Sequence, residues 1–302
     1  MLTRRDIEEH GLGMPVLTDA PMAEHTSFRI GGPADLLARP RNEAELTALL
    51  AIAARRETPV FLMGNGTNLL VSDAGIRGLV VKTGNLSRIE RVGETGLRAE
   101  SGATLAQLAG TALDCHLAGL AFAHGIPGTV GGAVVMNAGA YRGEIRDVAV
   151  ETRCCDRWGA PSLLRGGAHE FGYRRSAFAA KPDLLALSTL FLLTPGDPVE
   201  IRGEMDEYAR RRRQSQPLEY PSAGSVFKRP PGRFAGPLIQ SCGLKGFAVG
   251  GAQVSEKHAG FIINRGGATC DDVRRLIDHI QRTVLAREGV ALEPEVRFVG
   301  QA

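Results

Sequence analysis

The feature that most limits how this chain can fold is a segment both rich in glycine and strongly apolar. It runs from residue 125 to residue 140 and reads GIPGTVGGAVVMNAGA, with five glycines. Its apolar residues follow neither a helical period nor the alternation of a strand, so we predict an irregular loop. A surface loop has no need to be so apolar, whereas glycine lets a backbone lie very close to a bound group. The segment therefore predicts a backbone packed against a large ligand.

A second glycine-rich stretch, GNGTN at residues 64–68, follows the apolar run VFLM, which predicts a buried strand. The backbone N–H groups of such a turn can point at phosphate oxygens. The turn matches neither the dinucleotide fingerprint, because residue 69 is Leu, nor a Walker motif. Alone it is better explained as a plain hairpin turn. Together the two segments predict a ligand with a diphosphate and a planar group.

The composition is that of an ordinary globular protein. The 302 residues are 43% hydrophobic and 23% charged, and no apolar run is long enough to span a membrane. Acidic residues stand near the N-terminus where a signal peptide would have its apolar core, so we expect a cytoplasmic protein. The net charge of +3 is too small to imply nucleic-acid binding by itself.

Two smaller features each have two interpretations. The five cysteines have no metal-ligand spacing and form no even set, so we expect free thiols and no metal; the adjacent pair Cys154 and Cys155 could also form a redox switch. The run Arg210–Arg213 is either the solvated last turn of a helix or an anion contact.

Helix and strand signals follow one another in an order that predicts an α+β protein. The helices are predicted at 42–57 with Asn42 as N-cap, at 104–116, at 198–213, at 236–241, and at 269–288, where Thr269 and Asp272 form a capping box and Gly289 follows the end. The tail LEPEVRFVG alternates like a strand. We place a larger domain at residues 1–197 and a smaller one at residues 198–302.

Seven blocks, in order and spanning nearly the whole chain, resemble the UDP-N-acetylenolpyruvoylglucosamine reductase family. They are HTSFRIGGPAD (25–35), GNGTNLLVSDAGIRGLVV (64–81), GIPGTVGGAVVMNAGAYRGEI (125–145), FGYRRSAF (171–178), PSAGSVFK (221–228), GLKG with GGAQVSEKHAGFIIN (243–264) and LEPEVRFVG (292–300). The resemblance implies an FAD-binding domain of the vanillyl-alcohol-oxidase type at 1–197, with two α+β subdomains that divide near 85–100. A smaller α+β substrate-binding domain follows at 198–302.

The resemblance also implies a reaction. NADPH reduces non-covalently bound FAD, and the enolpyruvyl ether of UDP-N-acetylglucosamine is then reduced to UDP-N-acetylmuramate, an early step of peptidoglycan synthesis. Arg174 matches the arginine that contacts the substrate carboxylate, with Arg175 as its rival. Ser225 matches the proton donor, and Glu295 matches the acid that assists enolate stabilisation, with Glu293 as its rival.

The residues expected to contact FAD lie in the two glycine-rich segments. They are Gly64, Asn65, Gly66, Thr67, Asn68 and Leu69 in the first, and Ile126, Pro127, Gly128, Val130, Gly131, Gly132, Ala133, Asn137 and Gly139 in the second. The resemblance places Tyr141, Lys228 and His258 near the UDP-sugar. Lys228 is also a candidate to stabilise the Ser225 oxyanion.

Ser215 stands where many relatives carry a lysine, and Arg212 or Arg213 could replace that diphosphate contact. The short segment before Ser225 resembles the subclass that lacks a tyrosine-bearing lid. One alternative is a flavoprotein oxidase of a sugar or lactone, for which His124 is a conceivable site of covalent FAD attachment. Another is a non-catalytic nucleotide- or nucleic-acid-binding protein that uses Arg210–Arg213. The first interpretation predicts a monomer that binds neither nucleic acid nor membrane.

Overall fold

The computed structural model describes residues 1–301 and divides into two compact units. Unit 1 comprises residues 1–18, 35–65 and 78–212, and unit 2 comprises residues 19–34 and 66–77 together with the chain from Arg213 onward. This division differs from the predicted domains at 1–197 and 198–302, because two early segments join unit 2 and most of the helix after residue 197 joins unit 1. The assignment of cofactor and substrate binding to those domains stays a prediction.

Seven α-helices and nineteen strands are formed by residues 1–301. The helices are α1 Arg4–Glu9, α2 Glu43–Arg55, α3 Leu105–Asp114, α4 Val130–Met136, α5 Pro198–Ser215, α6 Ala235–Ser241 and α7 Cys270–Glu288. The strands are β1 Val16–Pro21, β2 Pro33–Ala38, β3 Val60–Met63, β4 Leu69–Val71, β5 Ile76–Lys82, β6 Ile89–Val92, β7 Gly96–Glu100, β8 Leu117–Ala118, β9 Gly139–Ala140, β10 Gly143–Glu144, β11 Ala149–Cys155, β12 Pro161–Arg165, β13 Leu185–Leu192, β14 Thr194–Pro195, β15 Ser222–Ser225, β16 Ala248–Val249, β17 Ala252–Val254, β18 Phe261–Asn264 and β19 Arg297–Val299. None of these helices combines the length and apolarity needed to cross a bilayer.

The first sheet of unit 1 supports the turn at residue 64. Its strands, which lie wholly or partly in unit 1, have the order β1-β2-β5-β3, and β3 runs parallel to β5. Helix α2 begins as predicted, because the Asn42 side chain accepts a hydrogen bond from the N–H of Glu45 at 2.9 Å. Its residues Leu46, Leu49 and Leu50 are fully buried in a core shared with α1, β2 and β5.

The second sheet of unit 1 is antiparallel, in the order β12-β11-β13-β7-β6. Helix α3 begins at the predicted Thr104 with a capping box and contributes to the core of this part. Cys154 and Cys155 lie buried on β11, and burial raises the pKa of their thiols to about 12 and about 11. Both thiols therefore stay protonated at neutral pH, and all five cysteines are free, as predicted.

Part of the segment 125–140 is helical, which corrects the prediction of an irregular loop. Helix α4 begins after Thr129, whose side chain accepts from the N–H of Gly132, and ends at Asn137, which has a left-handed conformation. Two adjacent glycines hide the helical pattern, since each weakens a helix by roughly 1 kcal/mol relative to alanine. Packing favours glycine here, because a Cβ on Gly131 would lie 2.9 Å from the Ser101 side chain.

Unit 2 contains an antiparallel sheet in the order β15-β18-β17-β16, with α6 and α7 sharing its core. Helix α7 has the predicted capping box of Thr269 and Asp272, and Gly289 ends it with a φ of 67°. The Asp73 carboxylate also accepts from the first two N–H groups of α7. The predicted final strand shortens to β19, which pairs in parallel with β4.

Candidate active site

The turn after β3 presents backbone donors. The N–H groups of residues 65–68 donate no hydrogen bond to any other residue between 1 and 301. Gly66 is buried and its neighbours in the turn are half-buried, and N–H groups in such places are rarely left without an acceptor. A diphosphate has enough oxygens to satisfy several of them, so this turn fits the diphosphate of FAD.

Gly64, at the start of the turn, has no room for a side chain. A Cβ there would lie 2.1 Å from Oγ1 of Thr129, the N-cap of α4. We expect Gly64→Ala to displace the turn and to raise the dissociation constant of FAD by about tenfold or more, or about 1.4 kcal/mol. Titration of apoprotein with FAD, followed by flavin fluorescence, measures this. Gly84→Ala is the matched control, because no heavy atom lies within 4 Å of a Cβ at that position; equal affinities in the two variants would contradict the expectation.

In the second glycine-rich segment, much of the backbone packs against other residues of unit 1. The N–H groups of Val130 and Gly131 donate to the carbonyls of Ala103 and Ser101, each at 2.8 Å. A Cβ on Gly139 would lie 2.6 Å from the carbonyl oxygen of Gly143. Glycine is thus required at 131 and 139 for contacts within unit 1. The predicted FAD contacts of this segment stay predictions.

Asn137 joins three segments of unit 1. Its side chain is fully buried and donates to the Glu144 carboxylate and to the Gly172 carbonyl, each at 3.0 Å. The side-chain oxygen Oδ1 of Asn137 accepts from the N–H of Arg146 at 2.9 Å. The amide therefore holds the end of α4 against the loop that leads to Arg174, and its predicted contact with FAD stays a prediction.

Arg174 has a backbone conformation that favours glycine, with a φ of 55°. Its Nη2 donates to the carbonyl of Gly139 at 3.3 Å, and its guanidinium lies 5.2 Å from the centre of the Tyr173 ring. Arg175, the rival, forms backbone hydrogen bonds with Gly172 in both directions and is exposed. Left-handed residues other than glycine cost about 1–2 kcal/mol and cluster at functional sites, which favours Arg174 over Arg175.

Ser225 and Glu295 lie on neighbouring segments of unit 2. Strand β15 has an irregular register between Ser222 and Ser225, at Gly224, where φ is 77°. Ser225 is exposed while the next two residues, Val226 and Phe227, are buried. The carbonyl of Val226 accepts from the N–H of Glu295 at 2.7 Å. The backbone of Glu295 is therefore held against Val226, the residue that follows Ser225.

The rival acid, Glu293, has another partner. Its carboxylate pairs with the Lys228 ammonium, and its carbonyl accepts from the N–H of Lys228 at 2.9 Å. This pair engages the lysine considered as a support for the Ser225 oxyanion.

The other predicted substrate contacts are His258 in unit 2 and Tyr141 in unit 1. His258 accepts from the N–H of Gly260 through Nδ1 at 3.1 Å, and burial lowers its pKa, so its ring is neutral at pH 7. Tyr141 stacks on Tyr208, with the ring centres 4.2 Å apart. No group of three or more metal-binding side chains occurs in residues 1–301.

The arginines of the run Arg210–Arg213 on α5 differ in their contacts. Arg210 and Arg211 pair with Glu207, as expected for the solvated turn of a helix. Arg212 differs, because its Nε is buried and has no hydrogen-bond partner in the described chain. Arg142, next to Tyr141, was not among the predicted site residues. Its φ of 75° is a left-handed conformation that its residue type does not predict.

Comparison with known families first gives the class. A model of an FAD binding domain matches residues 34–161, and a model of the C-terminal domain of UDP-N-acetylenolpyruvoylglucosamine reductase matches residues 216–299. With the donor-rich turn, these matches define a flavoprotein oxidoreductase. The predicted fold class is confirmed: an α+β FAD-binding domain of the vanillyl-alcohol-oxidase type and a smaller α+β domain.

Relatives along the whole chain then give the family. The chain is 50% identical over 281 residues to UDP-N-acetylenolpyruvoylglucosamine reductase of Caldanaerobacter subterraneus subsp. tengcongensis, covering 93% of this chain and 92% of that protein. It is 46% identical over 286 residues to that of Clostridium perfringens, covering 95% and 93%. The crystal structure of the Thermus caldophilus reductase matches with a TM-score of 0.80 at 33% identity, covering 95% and 98%. The chain belongs to the UDP-N-acetylenolpyruvoylglucosamine reductase family.

Proposed function

We propose that this chain reduces the enolpyruvyl ether of UDP-N-acetylglucosamine to the lactyl ether of UDP-N-acetylmuramate, with non-covalent FAD and with NADPH as reductant. The observation that carries this proposal is the 50% identity over 93% of the chain to a reductase of that name. The pairing of Arg210 and Arg211 with Glu207 gives the nucleic-acid alternative no support. We also propose a cytoplasmic, monomeric enzyme.

The turn at residues 64–69 would hold the diphosphate of FAD, and residues of the segment 126–139 would line the rest of the cofactor. When bound, FAD supplies the hydride that reduces the double bond. What remains for the protein is to orient the substrate, stabilise negative charge and deliver one proton.

Arg174 would bind the substrate carboxylate. Hydride addition to the terminal methylene carbon places extra negative charge on the carboxylate-bearing end, where fixed donors lower the barrier. A guanidinium can offer two parallel N–H groups to a carboxylate. The strained backbone of Arg174 and its hydrogen bond to Gly139 support this role, since both fix the direction of the side chain.

Ser225 would protonate the carbon that bears the carboxylate. A serine hydroxyl is a poor acid, so it can act only on a strongly basic acceptor, and an enolate carbon is one. Open space beside Gly224 and the exposure of Ser225 support access of substrate from this side. Glu295, tied to the Val226 carbonyl, would assist the enolate from the adjacent segment.

The nucleotide part of the substrate would be bound by Tyr141, Lys228 and His258. Arg212 or Arg213 would replace the lysine that is absent at Ser215. The cofactor-binding and substrate-binding regions would be residues 1–197 and 198–302.

Anaerobic reduction tests the proposed function. The purified protein should be yellow, should release its flavin on denaturation, and should lose its colour with NADPH under anaerobic conditions. The colour should return on addition of the enolpyruvyl substrate, with one lactyl product formed per flavin, because the substrate accepts the hydride. Rapid recolouring by O2 but not by the substrate would indicate the oxidase instead. A colourless protein that FAD cannot reconstitute would exclude both.

A further inference from the structure

Arg174 occupies the strained position of a short turn, Gly172–Arg175, which we name the arginine turn. The N–H of Gly172 donates to the carbonyl of Arg175 at 3.0 Å, and the N–H of Arg175 donates to the carbonyl of Gly172 at 3.3 Å. Within this turn only Arg174 has a positive φ, at a position that favours glycine. An arginine can keep this conformation only where its neighbours hold the backbone in place.

Two hydrogen bonds tie the arginine turn to α4 and to the residue that ends α4. The Ser176 hydroxyl donates to the carbonyl of Val135 at 2.7 Å, and the buried Asn137 amide donates to the carbonyl of Gly172 at 3.0 Å. The chain enters the turn from elsewhere, from a helical turn at residues 166–169. On that side the support comes from His169.

His169 is fully buried and has a hydrogen bond at each ring nitrogen. Its Nδ1 lies 3.0 Å from the carbonyl oxygen of Gly166, which can only accept, so Nδ1 carries a proton. In the neutral ring Nε2 then accepts from the Thr152 hydroxyl on β11, at 2.9 Å. Because Thr152 donates its proton there, it accepts from the Thr189 hydroxyl on β13, at 3.1 Å. This chain of hydrogen bonds holds the imidazole ring in one orientation against the sheet.

The oriented ring supports the segment that leads into the arginine turn. The ring of Phe171 stacks on the ring of His169, with the centres 4.8 Å apart and the planes 8° apart. Phe171 directly precedes Gly172, the first residue of the turn. Burying a polar ring costs free energy that an aliphatic side chain would not cost, so the histidine is best explained by the orientation that its hydrogen bonds impose.

We propose that His169 is a positioning residue for the reduction of the sugar. Its hydrogen bonds to the sheet fix Phe171, and Phe171 fixes the arginine turn that presents Arg174. The inference rests on the proposed function, which assigns the substrate carboxylate to Arg174. Its consequence is selective, because a displaced Arg174 would weaken the binding of sugars that carry a carboxylate and would leave other UDP-sugars unaffected.

His169→Phe keeps an aromatic ring beside Phe171 and removes both hydrogen bonds of the imidazole. Calorimetric titration of the FAD-loaded protein should show that the dissociation constant of UDP-N-acetylmuramate, which has a lactyl carboxylate, rises by about tenfold. The dissociation constant of UDP-N-acetylglucosamine, which has no carboxylate, should change by less than about twofold. Thr152→Val removes only the partner of Nε2 and should raise the first constant by about threefold, which provides the test if His169→Phe does not fold.

Leu113→Val on α3 is the matched control, because Leu113 is buried in the core against which Phe171 packs. It should lower Tm without changing the ratio of the two dissociation constants. A double-mutant cycle with Arg174→Met then tests whether His169 acts through the arginine. If it does, His169→Phe should change neither constant further once Arg174 has been replaced.

Equal losses for the two sugars, an unchanged ratio in both His169→Phe and Thr152→Val, or full additivity with Arg174→Met would overturn the inference. If Arg174→Met itself left the affinity for UDP-N-acetylmuramate unchanged, the proposed role of Arg174 would be wrong, and this inference with it. Sugar reduction by the parent protein is measured in parallel, so a failure of the proposed function is recognised separately.

Discussion

Replacing Ser225 with alanine should leave the flavin fully reducible by NADPH while lowering the turnover of the enolpyruvyl substrate by about 10⁴-fold, the upper range for loss of a positioned proton donor. Reduction of the flavin requires no proton from this side chain. The sugar step does, because the enolate must be protonated at carbon. Stopped-flow absorbance of the flavin measures the two half-reactions separately, so the loss can be assigned to the second.

Ser222→Ala is the matched control, since Ser222 lies on the same strand and its carbonyl, which the substitution retains, accepts from the Ser27 hydroxyl. In the control, NADPH should reduce the flavin, and the reduced flavin should reduce the sugar substrate, both at the parent rates. If Ser225→Ala turned over within tenfold of the parent, about 1.4 kcal/mol of barrier, another group would have to be the acid. Retention of ordinary flavin absorbance in both variants shows that the fold survives.

Glu295→Gln should lower the turnover of the sugar by about 10³-fold, as expected for loss of a group that stabilises charge in the transition state. Glutamine keeps the size of the side chain, and the backbone hydrogen bond from residue 295 to the Val226 carbonyl is unaffected. The change therefore tests the carboxyl group rather than the fold. Steady-state measurement should show the loss in kcat, with flavin reduction by NADPH unchanged.

The chain offers a close control two residues away. Glu293→Gln removes a carboxylate that pairs with Lys228, and exposed pairs of this kind contribute about 1 kcal/mol or less. We expect its turnover to remain within a few-fold of the parent, or to change chiefly in KM through Lys228. Equal losses at 293 and 295 would mean that the acid is not Glu295 alone.

The helix beginnings could be predicted from the sequence because their causes are local. Asn42, Thr104 and Thr269 each accept a hydrogen bond from an N–H three residues later. The residues that predict each helix start are therefore the same residues that form it. Gly289, which ends α7 in the left-handed conformation, is local in the same way. The positions of these elements therefore followed from residue type and spacing.

The features that could not be predicted depend on contacts between distant segments. Helix α4 contains two glycines that a sequence pattern counts against it, and its packing on Ser101 is visible only in three dimensions. The Lys228–Glu293 pair joins residues 65 positions apart. Arg212 belongs to a run of four arginines, and only the fold separates it from Arg210 and Arg211. Catalytic residues came from the family resemblance, because no local pattern gives a serine the role of an acid.

The irregular register in β15 also restricts the length of the chain. The Val226 carbonyl is hydrogen-bonded to residue 295, and the Lys228 N–H is hydrogen-bonded to residue 293. These two bonds fix the number of residues between Ser225 and the segment 293–295. Deleting one residue between 222 and 226 would exchange the buried and exposed faces of the strand, so that a serine would point into the core and a valine toward solvent. The segment is rich in small residues, as tolerant loops are, yet it should accept neither insertions nor deletions.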